Sequence, residues 1–227
     1  MTREVPLLDR LMHDLKGPLA PLQTAAYLLG RDDLPPERRR ELLDTLERQA
    51  RRLGQMIEEA GDWVHASQGL LVRRREPCEL TLLLDTAIGG ITGCTVEPRV
   101  PAELAALVIT GDETRLLQML ATLIRHACAR DPAHTPALVV ASLPDGVRIT
   151  VSDRGPTPDP AALAGLLEQP HPEPADAGLG LRLLIAAAIV RAHGGTLVAA
   201  PGDAGQGLAL VCELLCTPPK SVAGAKP

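Results

Sequence analysis

From Leu8 the apolar positions run Leu8, Met12, Leu15, Leu19, Leu22, Ala26 and Leu29, in steps that alternate between four and three. That spacing is the seam of a helix packed against other helices. Pro18 and Pro21 fall inside it and are expected to bend it. The pattern stops at Gly30-Arg-Asp-Asp-Leu-Pro-Pro36, where a glycine ends one helix and a proline pair opens the next. It resumes at Leu42, Leu46, Gln49, Leu53, Met56, Ala60 and Trp63, widened by Leu43, Ala50, Ile57 and Val64. The arginines at 38–40, 51 and 52 alternate with Glu41, Asp44, Glu47 and Glu58, the pattern of a solvated, ion-paired face. Two antiparallel helices cannot bury stripes this wide against each other alone. Pairing two hairpins into a four-helix bundle solves that, so a homodimer is expected.

After Arg73-Arg-Arg-Glu-Pro77 the periodicity changes. The expected organisation is a helical hairpin over 1–68, a linker over 69–77, a second domain over 78–216 and a disordered tail over 217–227. In the second domain, helices are expected from Leu80 to Ile91, from Glu113 to Arg130, from Ala161 to Leu167 and from Gly178 to about His193. Strands are expected at Ala106–Ile109, Ala137–Ser142, Val147–Val151, Thr196–Ala200 and Gly207–Leu215, with Pro144-Asp-Gly146 joining a hairpin. The segment from Gln169 to Asp176 is too rich in proline for regular structure and reads as a flexible cover. Helices followed by helices mixed with strands give an α plus α/β protein.

Composition narrows the chemistry. The chain has no Phe, one Tyr and one Trp, so its core is aliphatic. Without aromatic platforms and with a net charge of −5, it does not read as a nucleic-acid binder. Its five cysteines fit no zinc spacing and no small disulfide framework, and Cys212 and Cys216 are expected as buried thiols. No stretch approaches about 18 uninterrupted apolar residues, and Met-Thr-Arg-Glu-Val is no signal peptide. A cytoplasmic protein with no membrane insertion is the expectation.

Three stretches carry candidate chemistry. His13 and Asp14 stand side by side at the edge of the first apolar stripe. Such a pair suits nucleophilic chemistry, and taken alone reads more simply as surface. Asp153 ends a strand and is followed by Gly155, so its carboxylate can accept from a ligand amine or close a turn. Gly178-Leu-Gly180 precedes an apolar helix, where backbone N–H groups can approach phosphate, or where glycine simply allows close packing.

Together these stretches resemble the core of a sensor histidine kinase, over nearly the whole chain. His-Asp-Leu-Lys-Gly-Pro-Leu (13–19) resembles the H box. Gly111-Asp112 with Arg115-Leu-x-Gln118 resembles the approach to the N box, Asp153-x-Gly155 the G1 box, and Gly178-Leu-Gly-Leu181 through Val190-x-x-His193-Gly-Gly195 the G2 box and its helix. Gly205-x-Gly207 resembles the last glycine motif. The resemblance implies a dimerising phosphotransfer hairpin followed by an ATP-binding sandwich of the gyrase and histidine-kinase (GHKL, or Bergerat) type. It implies that His13 attacks the γ-phosphate of ATP and that Asp14 orients the ring and takes part in proton transfer. It implies that Asp153 and Gly155 take the adenine end and that Gly178 and Gly180 line the phosphate path. Phospho-His13 would then serve the receiver domain of a response regulator, with an upstream sensor protein supplying the signal.

The chain departs from the family at several points. Thr122 and His126 stand where asparagines bind Mg²⁺ and nucleotide, and imidazole is a poor ligand for that hard ion. Thr157 replaces the second G1 glycine, the F box is absent, and Gly17 stands where a phosphatase residue is often found. Three readings therefore stand: an ATP-dependent histidine kinase, an ATP-independent histidine phosphotransferase of a phosphorelay, and a non-catalytic dimeric scaffold or regulator.

Overall fold

The computed structural model describes residues 11–171 and 178–216. Leu8 of the first seam and the tail over 217–227 lie outside them, as does most of the proline-rich cover. The chain divides into two units, Met1–Val64 with Pro170–Leu181, and His65–Gln169 with Arg182–Pro227.

In the first unit, residues 11–16 are the described part of helix α1, followed by α2 (Leu19–Leu29) and α3 (Pro36–Ser67). The expected bend is an interruption. Gly17 donates its N–H to Asp14 O at 3.1 Å, closing α1, and Pro18 caps α2. The α2–α3 turn is held by Arg39, whose guanidinium donates to the carbonyls of Leu29 and Arg31. Ala25, Leu42 and Met56 are buried, whereas Met12, Leu19, Tyr27, Leu43, Ile57 and Val64 are exposed. Much of the described apolar stripe thus remains exposed within one chain.

The second unit is an α/β sandwich. Its five-stranded sheet has the order β2-β4-β5-β7-β6, from β2 (Pro98–Arg99), β4 (Ala137–Leu143), β5 (Gly146–Ser152), β6 (Thr196–Pro201) and β7 (Leu208–Leu215). The pairs β4–β5, β5–β7 and β6–β7 are antiparallel, and β2–β4 is parallel. Alternate residues point inward: Leu138 and Val140, then Val147, Ile149 and Val151, then Leu208, Leu210, Cys212 and Leu214. They meet a helical layer of α4 (Leu80–Gly89), α5 (Glu113–Arg130) and α7 (Arg182–Ala192). Helix α7 is apolar nearly all round because it is enclosed nearly all round. The short α6 (Pro160–Gly165) follows β5, capped by Asp159, whose carboxylate accepts the Ala162 N–H.

Two strands were not anticipated, β2 and β1 (Glu76–Glu79). The latter pairs antiparallel with β3 (Val108–Gly111) and buries only Cys78, so no alternation marks it in the sequence. Strand β3 lies two residues beyond its expected start, and α7 begins at Arg182 instead of Gly178 because Gly180 has φ +75°.

The cysteine expectation is corrected in part. Cys212 is a buried thiol as expected, Cys216 is only half-buried because it lies just past the end of β7, and Cys94 and Cys128 form a disulfide with a Cα–Cα distance of 6.3 Å. The last turn of α5 meets the loop after α4, bringing together residues 34 apart, a proximity that spacing rules for small domains do not register. Among the described residues, no helix is long and apolar enough to cross a membrane.

Candidate functional site

The His13 ring is 87% exposed on α1, with Nδ1 3.3 Å from Asp14 Oδ1. An ionised carboxylate only accepts, so this contact places the proton of a neutral imidazole on Nδ1. The lone pair is then on Nε2, the nitrogen farther from the backbone and open to solvent. This is the arrangement a histidine nucleophile needs.

The glycine loop over 178–181 presents two backbone N–H groups to one carboxylate. Leu179 and Leu181 donate to Glu59 Oε2 and Oε1 at 2.8 and 2.7 Å. Glu59 lies on α3 and is buried, as are Leu179 and Leu181. Gly180, between them, has positive φ, and a Cβ there would come within 2.2 Å of the His171 carbonyl oxygen. That carbonyl belongs to the residue whose N–H donates to Gly180 O at 2.9 Å. The loop is therefore shaped to hold an anion, and the anion it holds is the chain's own. Sequence reasoning passed over Glu59. The available signal was an acid three residues after Met56, on the buried side of the helix.

Asp153 closes β5 with its side chain 1% exposed. Oδ1 accepts the Gly155 N–H at 2.9 Å and the Leu208 N–H at 3.3 Å, and Oδ2 accepts Arg130 Nε at 2.8 Å. The same guanidinium donates through Nη2 to the Pro156 carbonyl. Arg130 is the last residue of α5 and was not anticipated as part of any site. Thr157 ties the loop down further. Its hydroxyl donates to Gly205 O at 2.8 Å and accepts the Gly207 N–H at 3.0 Å. Gly207 has φ +76°, and a Cβ there would lie 2.0 Å from the Asp153 carbonyl oxygen.

Helix α5 is anchored at its start. Asp112 Oδ1 accepts the Arg115 N–H at 3.2 Å, and the Asp112 N–H donates to Nε2 of the buried His193 at 3.0 Å. His193 Nδ1 lies 2.8 Å from Ile189 O, so its two ring nitrogens are committed to structure. Burial pushes the Asp112 carboxyl up, but the N–H donors of Arg73, Arg115 and Arg74 outweigh it and hold it below the usual value.

Thr122 and His126 both lie half-buried on α5. The Thr122 hydroxyl donates to Gln118 O at 2.8 Å, within the helix. Among the described residues no group of three or more His, Cys, Asp or Glu side chains could hold a metal. A hydroxyl spent on its own helix and an imidazole are not the hard oxygen donors that Mg²⁺ takes, so these positions do not fit that ion.

Residues 7–63 match the family described as the His Kinase A (phospho-acceptor) domain. Residues 111–217 match that of the histidine kinase-, DNA gyrase B- and HSP90-like ATPases. The chain belongs to the sensor histidine kinases. It is 30% identical to the sensor protein KdpD of Mycobacterium tuberculosis over 220 residues, covering 92% of this chain and 25% of KdpD. Against the sensor histidine kinase TrcS of the same organism it is 30% identical over 208 residues, covering 84% of this chain and 40% of TrcS. The chain thus spans from a quarter to two fifths of the length of these relatives. The fold of this kinase core is shared with the Acinetobacter baumannii histidine kinase AdeS, at a TM-score of 0.68 and 17% identity over 90% of this chain and 98% of AdeS. The relatives do not favour the ATP-independent phosphotransferase or the scaffold.

Proposed function

We propose that this core phosphorylates itself on His13 from ATP and passes the phosphoryl group to an aspartate in the receiver domain of a response regulator. His13 Nε2 attacks the γ-phosphorus, the bond to the bridging oxygen breaks, and ADP leaves. Asp14 keeps the other nitrogen protonated and offsets the charge that develops on the ring. Asp153 and Gly155 hold the base, and the amides around Gly178 and Gly180 meet the phosphates once Glu59 has yielded them. The uncovered stripe through Met12, Leu19, Leu43 and Ile57 packs against a second copy in a four-helix bundle. An upstream sensor protein supplies the signal, and the reaction takes place in the cytoplasm.

The observation that carries this reading is the exposed His13 ring with Nδ1 held by Asp14 in a domain of the phospho-acceptor family. The test is incubation with ATP labelled at the γ-phosphate. Acid-labile, base-stable label is expected on the wild type and absent from His13→Ala. An unlabelled wild type, or label retained in His13→Ala, sinks the proposal.

A further inference from the structure

We infer that Glu59 is a built-in competitor of the nucleotide's phosphates: its carboxylate occupies the backbone donors a phosphate would take, and so holds down the affinity for ATP. The inference deepens the nucleotide-binding reading above and rests on it. The donors are the N–H groups of Leu179 and Leu181, which meet Oε2 and Oε1 at 2.8 and 2.7 Å. Gly180 between them has φ +75°, and N–H groups converging around a left-handed residue form an anion cradle of the main chain. Helix α7 begins at the next residue, Arg182, and its N-terminal end adds to the attraction for negative charge.

A carboxylate fits this cradle for the reason a phosphate does. Two oxygens on one centre, carrying negative charge, accept two N–H bonds side by side. The two anions cannot share it. An oxygen has lone pairs for more than one donor, but each N–H has a single proton to give. A phosphate oxygen would have to stand where a carboxylate oxygen already is, and like charges repel. Glu59, Leu179 and Leu181 are all buried, so the contest is between two anions and not between an anion and water. The apparent affinity for ATP is therefore lowered to the extent that Glu59 stays seated. Linkage makes the coupling reciprocal: whatever draws Glu59 from the loop raises ATP affinity, and ATP favours the withdrawn state by the same factor. Glu59 lies on α3 two residues after the exposed Ile57, so a partner packed on that helix is placed to bias the competition.

The test is calorimetric titration with ATP and with adenosine, which lacks the phosphates. Glu59→Ala is expected to bind ATP about tenfold or more tighter than wild type, the value of at least one hydrogen bond to a charged acceptor. Its affinity for adenosine is expected to stay unchanged, because only the phosphates contend with Glu59. Glu59→Gln keeps the length of the side chain and fills its space, but offers one acceptor oxygen in place of two and no charge. It is expected to gain about threefold for ATP alone, and it carries the comparison if Glu59→Ala does not fold. ATP affinity unchanged or lowered in the folded variants overturns the competition and makes Glu59 a brace of the loop. So does an equal gain for ATP and adenosine, which reports a general loosening. In both cases nucleotide binding itself stands. If ATP binds neither wild type nor variants, the nucleotide-binding reading falls, and this one with it.

Discussion

Glu59 Oε1 accepts the backbone N–H of Leu181 at 2.7 Å, while Oε2 of the same carboxylate takes the N–H of Leu179. A buried carboxylate holding two amides fixes the glycine loop in one conformation. Glu59→Ala is expected to release it. Amide hydrogen exchange at Leu179 and Leu181 should accelerate by a factor corresponding to about 1.5–3 kcal/mol, the range for hydrogen bonds to a charged acceptor. Unchanged protection would mean that the loop holds its shape without Glu59.

Asp14 is placed to set the tautomer of His13. Asp14→Asn offers an amide where a carboxylate stood, so the ring proton is no longer drawn to Nδ1. Autophosphorylation is expected to slow by about a hundredfold, with ATP affinity unchanged, as for loss of a group acting in proton transfer. Initial rates at saturating ATP check this, and an equal fall in affinity would point to a structural role instead.

The Cys94–Cys128 disulfide closes a loop of sequence separation 34. In the chain-entropy account such a crosslink contributes about 4 kcal/mol by restricting the unfolded chain. Cys94→Ser and Cys128→Ser are each expected to lower unfolding stability by up to that amount under oxidising conditions. Neither should lower it further once a thiol reductant is present. Urea titrations with and without the reductant read the difference.

Cys212 is fully buried on β7, and burial pushes its thiol up to about 12. The thiolate is the reactive form, so alkylation by iodoacetamide at pH 8 is expected to spare Cys212 in the folded protein and to modify it in denaturant. Mass mapping of the modified peptides distinguishes the two.

Asp112 contributes stability because the fold favours its ionised form. Its folded value lies below the unfolded one, so the contribution is complete above the unfolded value of about 4 and is lost as pH falls through the folded value. Asp112→Ala is expected to cost about 1 kcal/mol at pH 7 as a lost helix cap. The gap between variant and wild type should narrow toward pH 2. Chemical denaturation across that range provides the measurement.

Periodicity made the helices legible, and α5 runs over the expected residues because Asp112 caps it and its apolar positions recur cleanly. The β4–β5 hairpin was legible from Pro144-Asp-Gly146 between alternating runs. Strand β1 was not, since Glu76-Pro-Cys-Glu79 is held by main-chain pairing and carries no pattern of its own. At the candidate site, His13, Asp14, Asp153 and the glycines stand in local motifs and could be named from sequence. Glu59 and Arg130 could not, because each acquires its role from a residue far along the chain: Leu181 for one, Asp153 for the other. Charged side chains read locally as solvated, and only tertiary packing shows which are committed.

The ribbon of β1 and β3 has a mechanical consequence. Arg73 donates its N–H to Asp112 Oδ2 at 3.2 Å, and four register pairs, from Glu76↔Gly111 to Glu79↔Val108, follow. The polypeptide is thus clamped to the root of α5 almost as soon as it enters the sandwich. Tension or torque on the incoming segment is not absorbed by slack chain. It is delivered to the base of the helix that carries Thr122, His126 and Arg130.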